Sequence, residues 1–235
     1  MDLTSPVFWS ALGSIILANI ILSGDNAVVI AMAARSLKPE QQTKAIFWGS
    51  AAAIVLRVIL TVVALKLLTL PFLKIIGAAL LVYIGVDLLN GDDEAEDGDG
   101  KEINGMMAAV RTILIADLVM SLDNVLAVAA AAKGDIPLLI IGLLVSIPLI
   151  IFGSTLLMKV MERFPIIITI GAALLGWLAG EMLISDPAVV GYFGQASHLV
   201  EIIASLIGAG IVVGLGKWTQ SKSKSEASES SDHPA

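Results

Sequence analysis

The stretch LSGDNAVVIAMAARSL (22–37) sets a hydroxyl, an aspartate and an amide, Ser23, Asp25 and Asn26, inside the first long apolar run of the chain. The arrangement returns 98 residues later (123 − 25) in DLVMSLDNVLAVAAAA (117–132), with Ser121, Asp123 and Asn124 in the matching positions. A charged side chain at membrane depth costs about 3 kcal/mol even on lenient insertion scales, so an ionisable group there marks a functional site. Two copies at equivalent depths of two apolar runs read as one duplicated site.

Seven apolar runs can be drawn around these motifs: 7–34, 45–68, 72–89, 106–132, 136–158, 166–184 and 199–215. Each approaches the roughly 20 residues that cross a bilayer core. Backbone in lipid must satisfy its own hydrogen bonds, which leaves helices or closed barrels, and runs of this length are helices. The 235-residue chain is 57% apolar and 15% charged, with mean hydropathy +0.92. Soluble domains average roughly 45–50% apolar and about 25% charged. The expected class is therefore all-α, a polytopic membrane protein embedded in a lipid bilayer.

A second repeat fixes the topology. IGAALL occupies 76–81 and recurs at 170–175, 94 residues on (170 − 76). In the same register Pro71 matches Pro165 and Asp87 matches Glu181. Spans one to three (7–90) and four to six (106–186) are two copies of one unit, and the seventh (199–215) is an addition. A unit of three crossings inserts its second copy upside down, giving the 3+3 inverted repeat of secondary transporters, whose sites lie at the repeat interface near the midplane.

Basic residues set the orientation. With the N-terminus outside, ten Lys and Arg fall in cytoplasmic segments and three (Lys66, Lys74 and Lys133) outside. The start of the chain carries no basic n-region, so the first span is expected to be retained rather than cleaved. The expected location is the bacterial inner membrane, N-terminus out and C-terminus in. The transmembrane domain covers 1–217. The acidic, glycine-rich loop 91–104 and the low-complexity tail 221–235 are expected to lack structure.

Helical spacing groups the polar residues. Asn19, Ser23 and Asn26 lie at i, i+4 and i+7 on one face, and Asp117, Ser121 and Asn124 on the equivalent face. Asp25 and Asp123 fall off that face in an unbroken helix; Gly24 suggests a loosened first helix that turns Asp25 inward. Arg57 lies mid-span without a counterpart and is expected to pair with a carboxylate, balancing the empty site or locking a helix contact. Asp87 and Glu181 read as pathway or gate residues. Pro148 with Ser146 suggests a kink, and Gly77, Gly85, Gly171 and Gly180 allow close helix packing.

The donors are all oxygen. There is no cysteine, and His198 and His233 lie outside the clusters, so thiolate and imidazole sites are excluded. Such hard oxygen sets suit Mg²⁺, Ca²⁺ or Mn²⁺. Composition does not separate the three, and Mn²⁺ is taken as the leading candidate. The expected metal set is Asp25, Asn26, Asp117, Asp123 and Asn124, with Asn19, Ser23, Ser121, Arg57, Asp87 and Glu181 in support. Two aspartates neutralise a dication, which favours a metal over a zwitterionic solute. No tightly bound cofactor, nucleic-acid partner or catalytic group is expected, and no GxxxxGK[ST] phosphate loop is present, so transport must draw on an ion gradient, H⁺ or Na⁺. The SGDN and SLDN contexts differ from the YD and GxGD motifs of intramembrane aspartyl proteases.

With LSGDNAVVIAMAARSL and DLVMSLDNVLAVAAAA in view, residues 5–217 resemble the TerC family of integral membrane proteins, named for tellurium resistance, and most of all its YjbE-type subgroup. The resemblance implies an inner-membrane protein of the LysE-like transporter group and an Mn²⁺ exporter. The family pattern acid-x-x-x-S-x-D-N maps onto Asp117, Ser121, Asp123 and Asn124. In the first half it maps onto Ser23, Asp25 and Asn26, with Asn19 where the family commonly has an acid. Export of another small solute, or a role in tellurite or metal stress without transport, is the alternative.

Overall fold

A computed structural model describes residues 9–10, 12–14, 16–17, 24–67, 69–91, 99–131 and 136–231. Side chains are described for these except at 62–67, 99–104, 123–131, 136, 138–139, 146 and 223–231. The helices with printed bounds are α1 (Gly24–Ala34), α2 (Pro39–Leu67), α3 (Leu73–Asn90), α4 (Asp99–Ala131), α5 (Ile136–Arg163), α6 (Ile166–Ile184), α7 (Pro187–Phe193) and α8 (His198–Ser231). No strand occurs among the described residues. The chain is all-α, as composition requires.

Six of these helices, α2 to α6 and α8, are long and apolar enough to cross a membrane. Of the expected first span the structure describes α1, together with helical residues between 9 and 17; Asn19 and Ser23 lie outside the described residues. Large apolar side chains lie on the outside as well as the inside: Phe152 is 71% exposed and Trp48 62%. Such surfaces suit a hydrocarbon solvent, where an outward-facing apolar side chain carries no penalty.

Two expectations about helix ends need correction. Residues 99–104 of the acidic loop are the first turns of α4, and residues 221–231 of the tail continue α8. Hydropathy marks where the chain leaves lipid, whereas a helix that has already nucleated propagates at little cost through Lys-, Glu- and Ala-containing sequence. Pro148 is exposed and sits inside the continuous helix α5.

The described chain packs as two units. The first comprises Met1–Leu73 and Glu96–Phe164, the second Lys74–Ala95 and Pro165–Ala235. These units cut across the sequence repeat: spans one, two, four and five form the first, and spans three, six and seven the second. In the first unit α2 packs on α4, α1 on α5, α1 on α4 and α2 on α5. Exchanging span one with four and span two with five maps these four pairs onto themselves; α1 also packs on α2.

Within the first unit α2 and α4 run parallel. Gly49 faces Ile113, where an added Cβ would come within 2.9 Å of its Cδ1, and eight residues further along each helix Arg57 meets Ser121. Parallel packing is what alternation demands of helices two spans apart. The α1–α2 connection is pinned at the same end by Gln42, whose Nε2 donates to the carbonyls of Arg35 (3.3 Å) and Leu37 (3.0 Å).

The second unit is organised by small residues. A Cβ on Gly176 would come within 2.7 Å of Ala209 Cα, and one on Gly180 within 2.7 Å of Ser205 Cα, so α6 and α8 touch backbone to backbone. Gly85 brings α3 against both, facing Val212 and Leu175. The two IGAALL copies meet the same surroundings: Ile76 and Ile170 are 58% and 60% exposed, while Ala78, Leu81, Ala172 and Leu175 are buried. Polar contacts close the ends of this unit. The buried Asp186 caps α7 through Ala188 N–H (2.7 Å) and also accepts from Lys74 N–H (3.0 Å) and Ile75 N–H (3.3 Å) in the first turn of α3. At the far end Asn90 Nδ2 donates to Thr219 Oγ1 (2.6 Å), and Gln220 Nε2 donates to the Leu89 carbonyl (2.6 Å).

Candidate functional site

Asp25 is the second residue of α1, and its carboxylate accepts the backbone N–H of Asn26 at 2.8 Å. An acid in a first helical turn is favoured by the exposed N–H groups and the helix dipole. Asp25 is half-buried and Asn26 is buried, as is nearly all of α1 beyond it. α1 packs against α2, α4 and α5, so Asp25 begins a helix enclosed by the first unit.

Deeper in this unit lies a charged cluster. Arg57, 2% exposed, extends from α2 to Asp117 and Ser121 on α4, which are 6% and 0% exposed. Its Nη2 donates to Asp117 Oδ1. Its Nε donates to Ser121 Oγ at 3.1 Å, and Ser121 Oγ donates to Asp117 Oδ2 at 3.2 Å. Asp117 and Ser121 are one turn apart on α4, so a single helix face presents both to the guanidinium. The charges of Arg57 and Asp117 also act on the Asp25 carboxylate.

The arrangement answers the question Arg57 posed in the sequence: among the described residues it forms an ion pair with Asp117. Taking two ions out of water costs several kcal/mol each, and their attraction offsets this only where the remaining donors and acceptors are satisfied, as Ser121 helps to do here. Removing one member of such a pair typically costs about 3–5 kcal/mol.

Asp123 and Asn124 lie on α4, which is unbroken from Asp99 to Ala131; their side chains are outside the described residues. Asp87 and Glu181 are both exposed, on α3 and α6 of the second unit, and so belong to a different unit from Asp25 and Asp117. No group of three or more His, Cys, Asp or Glu side chains able to hold a metal occurs among the described residues. Two hydroxyls that sequence reading passed over are buried in the first unit, Ser50 on α2 and Ser154 on α5. Neither has a hydrogen-bond partner among the described residues. Serine inside an apolar span was the available signal for both.

The description "Integral membrane protein TerC family" matches residues 4–224. The chain belongs to the TerC family. It is similar to the membrane protein YjbE of Bacillus subtilis, 41% identical over 198 residues that cover 83% of this chain and 88% of YjbE. It is also similar to YceF of the same organism, 27% identical over 188 residues covering 77% of this chain and 73% of YceF. The inner membrane protein YoaE of Escherichia coli is 24% identical over 188 residues, 72% of this chain and 36% of YoaE. No solved structure matches the chain. This TerC-family chain is thus a multi-pass integral membrane protein whose buried polar residues lie in its helices rather than in its loops.

Proposed function

We propose that the protein is a secondary transporter that exports divalent metal cations, Mn²⁺ foremost, across the bacterial inner membrane in exchange for entering H⁺ or Na⁺. The observation that carries this reading is the placement of half-buried Asp25 and buried Asn26, Asp117 and Ser121 within one packing unit of a helical membrane protein. Oxygen donors of this kind suit a hard dication. The duplicated S-x-D-N pattern adds Asp123 and Asn124 as ligands from the second copy. The chain acts as a carrier and not as an enzyme. Its N-terminus faces outward and its C-terminus the cytoplasm, following the basic residues.

Moving a dication out against a negative-inside potential costs about 4.6 kcal/mol at 100 mV, which a gradient of the counter-ion must supply. The test is Mn²⁺ uptake into inverted membrane vesicles. Wild-type vesicles should accumulate Mn²⁺ when the lumen is acidic or rich in Na⁺, and Asp25→Asn and Asp123→Asn should each lower the rate at least tenfold at normal abundance. Full uptake by both variants would remove the buried-site reading.

A further inference from the structure

The guanidinium of Arg57 occupies two of the oxygens nominated for the metal. Asp117 Oδ1 takes its Nη2 and Ser121 Oγ its Nε, and Asp117 Oδ2 is taken by the Ser121 hydroxyl. Both carboxylate oxygens of Asp117 are therefore engaged. All three residues are buried. A guanidinium is always charged, and its planar fork matches carboxylate geometry, so it competes well for such oxygens.

We propose that Arg57 is the resident cation of the empty site, held by Asp117 and Ser121 until an incoming divalent metal ion displaces it. The proposal deepens the exporter reading and rests on it. One helix face presents one carboxylate and one hydroxyl, and a fixed cation and a mobile dication drawn to the same oxygens repel each other. In the resting protein the fixed cation spares the enclosed carboxylate from standing unpaired in low dielectric, the state that costs most. When the metal arrives, the same oxygens change partners, and Arg57 must return before the next cycle. Arg57 thus sets a threshold: it weakens binding and speeds release.

That role separates affinity from rate. Losing the competitor should tighten binding while slowing turnover, because the vacated site then holds its ion. The experiment uses full-length protein purified into liposomes, with Mn²⁺ as the probe, measuring half-saturation and maximal rate. Arg57→Gln should lower the half-saturating Mn²⁺ concentration about tenfold, the effect of removing one nearby unit charge, and lower the maximal rate. Asp117→Asn, which removes the ligand and leaves the competitor, should raise half-saturation about tenfold. A pair that only holds α2 to α4 would weaken binding in both variants.

Should Arg57→Gln fail to fold, Arg57→Lys decides. The ammonium keeps the charge but lacks the fork that reaches Asp117 and Ser121 together, so half-saturation should fall severalfold. An unchanged or raised value in folded Arg57→Gln or in Arg57→Lys overturns the proposal. Wild-type protein that moves no divalent ion overturns the exporter reading itself, a result distinct from wild-type transport with variants shifted the wrong way.

Discussion

The two packing units use opposite means to hold helices together. In the first, α2 and α4 meet through a buried arginine, an aspartate and a serine. In the second, α6 and α8 meet through glycines that bring backbone against backbone, and polar contacts are kept to the ends. Lipid offers no hydrophobic drive for association, so close van der Waals packing is the ordinary way to join membrane helices. The second unit follows that rule. The first carries a desolvated ion pair that packing alone would not need, and buried ion pairs are weak sources of stability. The difference separates a region built to stay together from one whose central contact serves another end.

The comparison breaks most visibly at Asp117. Asp117→Leu should break the buried ion pair and cost about 3–5 kcal/mol, whereas Arg57→Met combined with Asp117→Leu should be as stable as wild type or more so, yet transport nothing. Thermal unfolding in detergent beside vesicle uptake checks both halves. A double variant as unstable as the single would make the pair structural after all.

In the second unit the corresponding break is steric. Gly180→Leu should part α6 from α8 and cost about 3 kcal/mol or more, since the neighbour is backbone and cannot move aside as a side chain would. Membrane abundance and melting temperature report it; near-normal values would mean that the two helices slide freely.

A smaller effect is expected at Asp186. Asp186→Ala removes the acceptor for three N–H groups at the starts of α3 and α7 and should cost about 2 kcal/mol. Uptake per folded molecule should stay the same. Reduced uptake at equal abundance would bring this end of the second unit into the transport cycle.

Much of this was legible in the chain. The IGAALL copies marked two helices of a repeated unit, and both bury the alanine and leucine at the third and sixth positions, Ala78 and Leu81 in one and Ala172 and Leu175 in the other. Arg57 announced a carboxylate partner, since an arginine in mid-span cannot stand alone. Which carboxylate was hidden, because the parallel pairing of α2 and α4 brings together residues 60 positions apart and local spacing says nothing of it. Asp186 was overlooked although it precedes a proline, a common start for a short helix. Its second role, at the first turn of α3, depends on tertiary packing alone. Gly208 was overlooked for the same reason: only the approach of α6 shows why no side chain fits there. The division into units that cross the repeat was also beyond reach, as similarity records ancestry and not contact.

The distance along the chain between Arg57 and Asp117 has a consequence for biogenesis. A ribosome adding about 5–20 residues per second completes the intervening 60 residues in roughly 3–12 s. Throughout that interval α2 carries a cation whose Asp117 partner has yet to be made, and which lipid resists by about 3 kcal/mol. The second span therefore has reason to linger in the insertion machinery until the fourth arrives.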